Sequence, residues 1–119
     1  MIYEDERGTI TDVAEGEFKV IQMIFSRKNS VRSNHYHLKG GHLLYVVSGL
    51  MLYRERPVES GYITEKTVHP GESIFTGPMI VHETRFYEDT VLVCAATVSR
   101  AGSAYDEDLV RENVGCQEA

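Results

Sequence analysis

Positive charge is scarce in this sequence, and the basic residues that are present do not cluster. The chain has 12 lysines and arginines against 18 aspartates and glutamates, which gives a formal net charge of −6 at pH 7. The electrostatic attraction to phosphates that supplies most nucleic-acid affinity is therefore missing. We expect no nucleic-acid partner.

Long apolar runs are also lacking. No segment approaches the roughly 18 to 20 consecutive apolar residues that are needed to cross a bilayer. The N-terminal sequence MIYEDERGT is acidic, whereas a signal peptide carries positive charge before an apolar segment. We therefore expect no membrane partner and a cytoplasmic location.

Cysteine is rare. Cys94 lies in an apolar run and Cys116 in a polar stretch. Two such positions form neither a metal-ligand spacing nor a disulfide framework. We expect both to be reduced thiols and Cys94 to belong to the core.

The composition is typical of a folded protein. Hydrophobic residues make up 42 % of the 119 positions and charged residues 25 %, values near the globular average. At this size a chain buries roughly two thirds of its unfolded surface, which is enough for one core. No repeat, linker or low-complexity segment divides the sequence, so we predict a single domain over residues 1–119.

Short apolar segments rich in β-branched and aromatic residues predict strands. They cover residues 18–25, 42–49, 50–56, 61–69, 72–77 and 91–99. Turn signals such as Pro70-Gly71 separate them about every ten residues, as in an all-β sandwich or barrel. Only residues 104–113 favour a helix, and the first 17 residues favour an edge strand or an arm on a partner subunit.

Three of the five histidines lie within eight residues, in the stretch HYHLKGGH. If this stretch is extended, His35 and His37 point to the same side. Inside a barrel, two adjacent imidazoles call for a shared proton, a carboxylate partner or a divalent metal. A turn at Gly40-Gly41 would bring His42 to the same place. The alternative, that one or two of these histidines are surface or hydrogen-bonded core residues, stays open at this point.

The spacing around these histidines resembles the first motif of the cupin superfamily. That motif is a glycine, five residues, His-x-His, three or four residues, a glutamate, six residues and a glycine. In this chain Asn29 stands at the first glycine position, His35 and His37 at the paired histidines, His42 at the glutamate position, and Gly49 closes the motif.

A second stretch resembles the second cupin motif, which is a glycine, five residues, Pro-x-Gly, two residues and a histidine. Gly71 and His82 are in register with it. Gly77 occupies the proline position and Met79 the inner glycine position. The two motifs together span residues 29–86, about half of the chain.

The resemblance implies a small antiparallel cupin barrel, jelly-roll-like, with a short C-terminal helix or tail. It also implies a divalent metal at the barrel mouth, held by His35, His37, His42 and His82. Four imidazoles would suit Fe, Zn, Ni, Cu, Co or Mn better than Mg or Ca. Tyr45 or Tyr53 is expected to line the pocket wall.

The resemblance further implies an enzyme that acts on a small polar metabolite by isomerase, epimerase or oxygenase chemistry. Two alternatives remain: a non-catalytic cupin that binds a small molecule or metal, and a metal-free enzyme similar to the sugar-nucleotide isomerases, with histidine as general base. The segment VRSNHYHLK loosely resembles the arginine-then-His-x-His segment of the sugar 3,4-ketoisomerases, with Ser33 in place of the glycine that usually follows the arginine. Arg32 and His35 are therefore the candidate catalytic residues, and Arg32 at the rim is suited to hold a phosphate or carboxylate.

Two further expectations concern the rest of the chain. Glu83 follows His82 directly, so in a strand it points to the opposite face and is a poor ligand. The charged residues after the last predicted strand, among them Asp108 and Arg111, are expected to dock this tail onto the barrel or onto a dimer mate. A small barrel leaves sheet edges and an apolar face that neighbours commonly cover, so we also predict a homodimer.

Overall fold

The computed structural model describes residues 2–99 and 103–115, which form eleven strands and one short helix. The strands are β1 Ile2–Asp5, β2 Gly8–Thr11, β3 Val20–Ser26, β4 Val31–His37, β5 His42–Ser48, β6 Met51–Pro57, β7 Thr64–Val68, β8 Ser73–Thr76, β9 Ile80–Phe86, β10 Thr90–Ala96 and β11 Leu109–Arg111. The helix, α1, spans Ser103–Asp108. Within the described ranges, no helix has the length and apolar character needed to span a membrane. Cys116 lies outside the described residues.

Two antiparallel sheets enclose the core. One has four strands in the order β3-β10-β5-β8, and the other has five in the order β11-β4-β9-β6-β7. Strands β1 and β2 form a separate hairpin that precedes β3. The predicted antiparallel all-β architecture is confirmed.

The core lies between the two sheets because each strand points alternate side chains inward. It is built of apolar residues from both sheets: Leu44, Val46, Met51, Tyr53, Val68, Phe86, Leu92, Cys94 and Ala96. Cys94 is therefore a core residue, as predicted. A second, smaller cluster of Ile63, Val81 and Val114 lies on the outer side of the five-stranded sheet.

The C-terminal segment differs from the sequence prediction. A helix was expected over 104–113, but α1 ends at Asp108, and Leu109–Arg111 pair with β4 instead. The backbone hydrogen bonds that the edge of β4 offers outweigh the helical preference of this polar stretch, since propensity is a weak determinant beside tertiary pairing. Strands β4 and β9 were also absent from the predicted apolar segments, because both carry polar residues on both faces.

Three residues with positive φ occupy positions where the resemblance expects glycine: Asn29 with φ 70° and Met79 with φ 62° in the two cupin motifs, and Ser33 with φ 77° in the segment that resembles the 3,4-ketoisomerases. Positive φ is uncommon for residues other than glycine, so these positions have a backbone conformation that favours glycine although they carry other side chains. At Ser33 this conformation coincides with a register shift between β4 and β9, directly before His35.

Candidate functional site

Four histidines converge between the sheets. His35 and His37 come from β4, His42 from the start of β5 and His82 from β9. The ring centroids of His35 and His82 are 4.6 Å apart, those of His42 and His82 4.9 Å, and those of His35 and His37 5.1 Å. Three of the rings are buried, and His35 is half-buried.

Strand pairing brings these residues together. β4 runs antiparallel to β9 with His35 opposite His82, and the two-residue period of the strand places His37 on the same face as His35. His42 begins β5 in the facing sheet, where it lies opposite Thr76 and Ala96. The four predicted histidines thus occupy one volume in the barrel.

His37 is held by a buried carboxylate. Its Nδ1 lies 3.1 Å from Oδ2 of Asp108, and the two side chains are 4 % and 7 % exposed. Because a carboxylate accepts, Nδ1 carries the proton and the other nitrogen, Nε2, carries the lone pair. The barrel therefore fixes the tautomer of one histidine.

The Asp108 carboxylate is itself fixed by the backbone between β4 and β5. It accepts hydrogen bonds from the N–H of Lys39 at 2.7 Å and from the N–H of Gly40 at 3.1 Å. A Cβ at position 40 would lie 2.5 Å from Asp108 Oδ2, so this close approach requires glycine. The carboxylate is thus positioned before any ligand arrives.

His82 is oriented by its own strand and by a tyrosine. Its Nδ1–H donates to the carbonyl of Ile80 at 3.1 Å. The ring of Tyr53 lies nearly parallel to the His82 ring, at an interplanar angle of 18° and with 6.4 Å between the ring centroids. The Tyr53 hydroxyl donates to Oε2 of Glu55 at 2.9 Å and shares a short hydrogen bond with Thr76. Burial raises the pKa of the Tyr53 phenol, so it stays neutral.

A cavity of about 530 Å³ opens beside the histidines. Its walls are Gln22, Ile24, Val31, Arg32, Ser33, Asn34, His35, His42, Leu44, Leu92, Cys94, Tyr105 and Arg111. His35 and His42 face this space, whereas His37 and His82 lie behind them. Of the two tyrosines expected in the wall, Tyr53 lies within the histidine cluster and Tyr45 is on the outer face of its sheet, paired with Ser73 and Val93.

The cavity wall is positively charged in an acidic protein. Arg32 and Arg111 belong to the wall, and no aspartate or glutamate of the described residues does. Arg32 donates from Nε to Ser26 Oγ at 2.8 Å and from Nη2 to the carbonyl of Phe25 at 3.0 Å. Arg111 lies opposite His35 across the β11–β4 pairing. This charge distribution suits an anionic ligand.

The histidines also have the geometry of a metal site. One ring nitrogen from each of His35, His37 and His82 lies within 4.8 Å of the others. Two of these rings donate their Nδ1–H to an oxygen, Asp108 for His37 and Ile80 for His82, as metal-ligating histidines commonly do. The residues therefore fit a divalent transition metal.

Glu83 and His69 lie elsewhere. Glu83 is buried on the outer side of the five-stranded sheet, where it accepts hydrogen bonds from Arg54 at 3.1 Å and from Arg85. Burial alone would raise the pKa of Glu83, but the hydrogen bonds from Arg85, Asn34 and Arg54 outweigh it and lower the pKa. His69 is exposed and bonds Glu72.

The sequence did not assign Asp108, Tyr105 or Arg111 to the site. The charged residues Asp108 and Arg111 were expected only to dock the tail. The structure places Asp108 against His37, and both Tyr105 and Arg111 in the cavity wall. Asp108 is 71 residues from His37 in the chain, and no motif joins the two.

No protein-family model matches this chain, and no curated protein matches it significantly. Several solved structures are similar to it in fold. The sugar 3,4-ketoisomerase QdtA from Thermoanaerobacterium thermosaccharolyticum, in complex with TDP, superposes with a TM-score of 0.77 at 19 % identity, over 94 % of this chain and 83 % of that chain.

Two other similar structures are larger proteins. The dTDP-4-dehydrorhamnose 3,5-epimerase from Sulfolobus tokodaii superposes with a TM-score of 0.72 at 21 % identity, over 86 % of this chain and 69 % of that chain. The capsular polysaccharide assembling protein CapF from Staphylococcus aureus gives 0.72 at 19 % identity, over 95 % of this chain and 34 % of that chain. These likenesses establish that the chain has the cupin barrel fold.

Proposed function

We propose that the protein is an isomerase or epimerase of a nucleoside-diphosphate keto sugar, in which the His37–Asp108 pair supplies the general base. The observation that carries this proposal is the buried contact of 3.1 Å between the two side chains. The similar structures support the reaction class, since they include a sugar 3,4-ketoisomerase and a sugar-nucleotide 3,5-epimerase.

The proposed chemistry is proton transfer next to a ketone. A base takes a proton from the carbon beside the carbonyl, the C–H electron pair forms a C=C bond, and the carbonyl π pair moves onto oxygen. Return of a proton to the same carbon from the opposite face gives an epimer. Return of the proton to the former carbonyl carbon, with transfer of the neighbouring hydroxyl proton to the former carbonyl oxygen, gives the isomeric ketone: the old carbonyl becomes a hydroxyl and the neighbouring carbon becomes the new carbonyl. Neither outcome needs an oxidant or a reductant.

The described residues are arranged for this transfer. Asp108 holds the proton on Nδ1 of His37, which leaves Nε2 able to accept one. His35 stands in the cavity wall with its ring 5.1 Å from that of His37. In the proposal, His35 contacts the substrate and passes the proton between it and the buried base.

The cavity also suits the rest of such a substrate. Its volume of about 530 Å³ lies within the usual range for small-molecule sites. Arg32 and Arg111 are placed to bind a diphosphate, because guanidinium groups hold phosphate oxygens bidentately. The absence of carboxylates among the described wall residues leaves this attraction unopposed.

Deuterium exchange tests the proton transfer. The protein is incubated in D₂O with dTDP-4-keto-6-deoxyglucose, and NMR follows deuterium entering the carbon next to the ketone. We expect His37→Asn and Asp108→Asn to slow exchange about 10²- to 10⁴-fold while dTDP still binds. His69→Asn changes an exposed histidine outside the cavity and is the matched control. Normal exchange in His37→Asn would refute the assigned base.

Calorimetry with dTDP tests the anion site separately. We expect Arg111→Met to weaken binding at least tenfold, whereas Arg7→Met, which alters an exposed arginine bound to Asp5, should leave it unchanged. If the wild-type protein binds dTDP but exchanges no deuterium, it is a non-catalytic binding module. If it does neither, the sugar-nucleotide assignment is wrong.

A divalent transition metal at the histidines is a second proposal, favoured by the grouping of His35, His37 and His82 within 4.8 Å. The candidates are Fe, Zn, Ni, Cu, Co and Mn. When bound, the metal would act as a Lewis acid toward a substrate oxygen, or supply dioxygen chemistry if it is iron. His42 would be a fourth ligand, although it is not part of the group within 4.8 Å.

Elemental analysis of protein prepared without a histidine tag distinguishes the two proposals. A metal site predicts near-stoichiometric metal that His82→Ala removes, and a thermal midpoint that rises when metal is added back. His42→Ala should lower metal affinity, and His42→Glu should retain metal with a preference for harder ions. Metal-free protein that exchanges deuterium at the full rate would exclude a catalytic metal.

A further inference from the structure

The bulge that precedes His35 contains two consecutive residues with positive φ. Ser33 has φ 77° and Asn34 has φ 58°. The pairing of β4 with β9 places Ser33 opposite Glu83 and His35 opposite His82, so Asn34 is the additional residue on β4. A bulge changes the direction in which the neighbouring side chains point. The conformation of Ser33 and Asn34 therefore sets the direction of the His35 ring.

The side chain of Asn34 forms hydrogen bonds at both of its polar atoms. Its Oδ1 accepts from the N–H of Val114 at 3.1 Å, and its amide nitrogen donates to the carboxylate of Glu83. These partners fix the orientation of the amide, because a backbone N–H only donates and an ionised carboxylate only accepts. Asn34 thus joins β9 to the C-terminal segment.

Both partners of Asn34 are themselves held in place. Val114 is 2 % exposed and belongs to the smaller apolar cluster on the outer side of the five-stranded sheet. Glu83 is 5 % exposed and also accepts hydrogen bonds from Arg54 and Arg85. The Asn34 side chain is therefore bound between two buried groups rather than resting on a mobile surface.

One segment of the chain, residues 108–114, contacts the paired histidines at two places. At its start it supplies the carboxylate that bonds His37. At its end Val114 bonds Asn34, which directly precedes His35. The histidine in the cavity wall and the histidine behind it are thus oriented by the same segment through different contacts.

We propose that Asn34 is a positioning residue for His35. Its two side-chain hydrogen bonds hold the bulge, and the bulge directs the His35 ring into the cavity. The inference rests on the proposed function, in which His35 passes the proton between the substrate and His37. Asn34 takes no part in that transfer, because its polar atoms are engaged by β9 and the C-terminal segment.

Proton transfer through His35 depends on its distance from its neighbours. The His35 ring centroid is 5.1 Å from that of His37 and 4.6 Å from that of His82. Without its side-chain bonds, residue 34 would be released toward the negative φ that residues other than glycine prefer, and His35 would turn with it. A displacement of about 1 Å costs roughly 10²-fold in rate. The effect is therefore expected in the rate at saturating substrate rather than in affinity.

Two substitutions separate the contacts of Asn34. Asn34→Ala removes both side-chain hydrogen bonds. Asn34→Asp keeps an oxygen that accepts from Val114 but places a second carboxylate against Glu83, and like charges at this distance repel. Adding Glu83→Gln to Asn34→Asp restores one donor and one acceptor to the pair, with the polarity of the hydrogen bond reversed.

Deuterium exchange and calorimetry measure the expected split. With saturating dTDP-4-keto-6-deoxyglucose in D₂O, Asn34→Ala and Asn34→Asp should each slow exchange about 10²-fold, while dTDP binds as tightly as to the wild type. The double variant with Glu83→Gln should recover about tenfold of the rate that Asn34→Asp loses. Asn113→Ala is the matched control, because Asn113 is an exposed asparagine of the same segment, and it should exchange at the full rate.

NMR of the histidine rings tests the positioning independently of catalysis. In ¹⁵N-labelled protein the ring resonances of His35 should shift in Asn34→Ala, and those of the exposed His69 should not. If the wild type exchanges no deuterium but the His35 resonances shift, the proposed function fails and the positioning role is retained. If Asn34→Ala does not fold, Asn34→Asp and its double variant provide the same comparison.

Three results would overturn the inference. The first is unchanged His35 resonances in a folded Asn34→Ala protein, and the second is exchange at the full wild-type rate in that variant. The third is an equal loss of exchange rate and dTDP affinity, which would indicate a general structural role. A double variant as slow as Asn34→Asp would refute the contact with Glu83 as the cause.

Discussion

The outer faces of the two sheets differ in the side chains they carry and in what covers them. The five-stranded sheet carries Arg54, Glu83 and Arg85 on its outer face, joined in ion pairs, and the chain's own C-terminal segment covers it through Val114. The four-stranded sheet carries exposed apolar side chains on its outer face, Ile21, Met23 and Phe25 of β3 among them, and no segment of the described chain lies over Met23. A buried polar face needs partners of fixed geometry, which a covalently attached segment supplies. An apolar face needs only area, which a second molecule can supply.

The arginines on the covered face hold the C-terminal segment. Arg54 donates to the carbonyl of Gly115 at 2.7 Å, and Arg56 donates to that of Val114 at 2.9 Å. Val114 in turn donates its N–H to Asn34 Oδ1 at 3.1 Å, close to the bulge before His35. The covered face thus connects the ion pairs with the strand that carries the site.

The largest effect is expected when a charge is removed from the outer face of the five-stranded sheet, which the C-terminal segment covers. Arg54→Met removes one of the two arginines that donate to the buried Glu83 carboxylate, while Arg85 remains, so we expect the free energy of unfolding to fall by about 2 kcal/mol. Denaturant unfolding measures this change. Glu65→Gln removes the exposed partner of Arg54 and should cost less than about 1 kcal/mol. Equal losses in the two variants would contradict the distinction between buried and exposed pairs.

Acid should weaken the covered face by a smaller amount. The pKa of Glu83 in the folded protein is lowered from its ordinary value of 4.5. The stabilisation that ionised Glu83 gives to the folded state is therefore fully present above pH 4.5 and is lost as the pH falls through the pKa of the folded protein. We expect Glu83→Gln to flatten the pH dependence of stability below pH 4.5. Glu15→Gln, at an exposed site in the segment between β2 and β3, is the control. A pH profile that stays steep in Glu83→Gln would contradict this role.

Non-glycine residues with positive φ also distinguish the two sheets. Every described non-glycine residue with positive φ lies in or beside β4 or β9 of the covered sheet: Asn29, Ser33, Asn34 and Met79. Met79→Gly should raise the free energy of unfolding by about 0.5 to 1 kcal/mol, because glycine adopts this conformation without a Cβ clash. Thermal unfolding measures the gain. Gly71→Ala, at φ 85° in an open turn, should lower stability, and a loss with Met79→Gly would contradict the argument.

The smallest expected effect lies on the outer face of the four-stranded sheet. Met23→Thr should change the free energy of unfolding by less than about 0.5 kcal/mol, because Met23 is 71 % exposed and exposed substitutions contribute little. Denaturant unfolding tests this value. A large loss would mean that Met23 stabilises the single chain, and the contrast between the two faces would then disappear.

Motif spacing predicted the position of the histidines well. His35, His37, His42 and His82 were named from their intervals, and strand pairing brings them together. The intervals work because strand register is strict, so a shift of one residue would turn a side chain to the other face. The pairing of His82 with His35 shows that the register holds although Met79 replaces the glycine of the motif.

The remainder of the site could not be predicted, because it depends on contacts between distant residues. Asp108 reaches His37 only after α1 ends and β11 pairs with β4. A polar stretch such as 104–113 has no apolar period that would indicate where it packs. Similarly, β9 buries His82 on one face and Glu83 on the other, so it lacks the alternation that identifies a half-buried strand.

The late position of Asp108 in the chain has a consequence for biosynthesis. The strands that gather the four histidines are complete at Ala96, and domains begin to fold while translation proceeds at about 5–20 residues per second. Asp108 follows Ala96 by 12 residues, so it is synthesised roughly a second later. The contact that orients His37 therefore depends on a part of the chain that is made only after every strand carrying a histidine of the site.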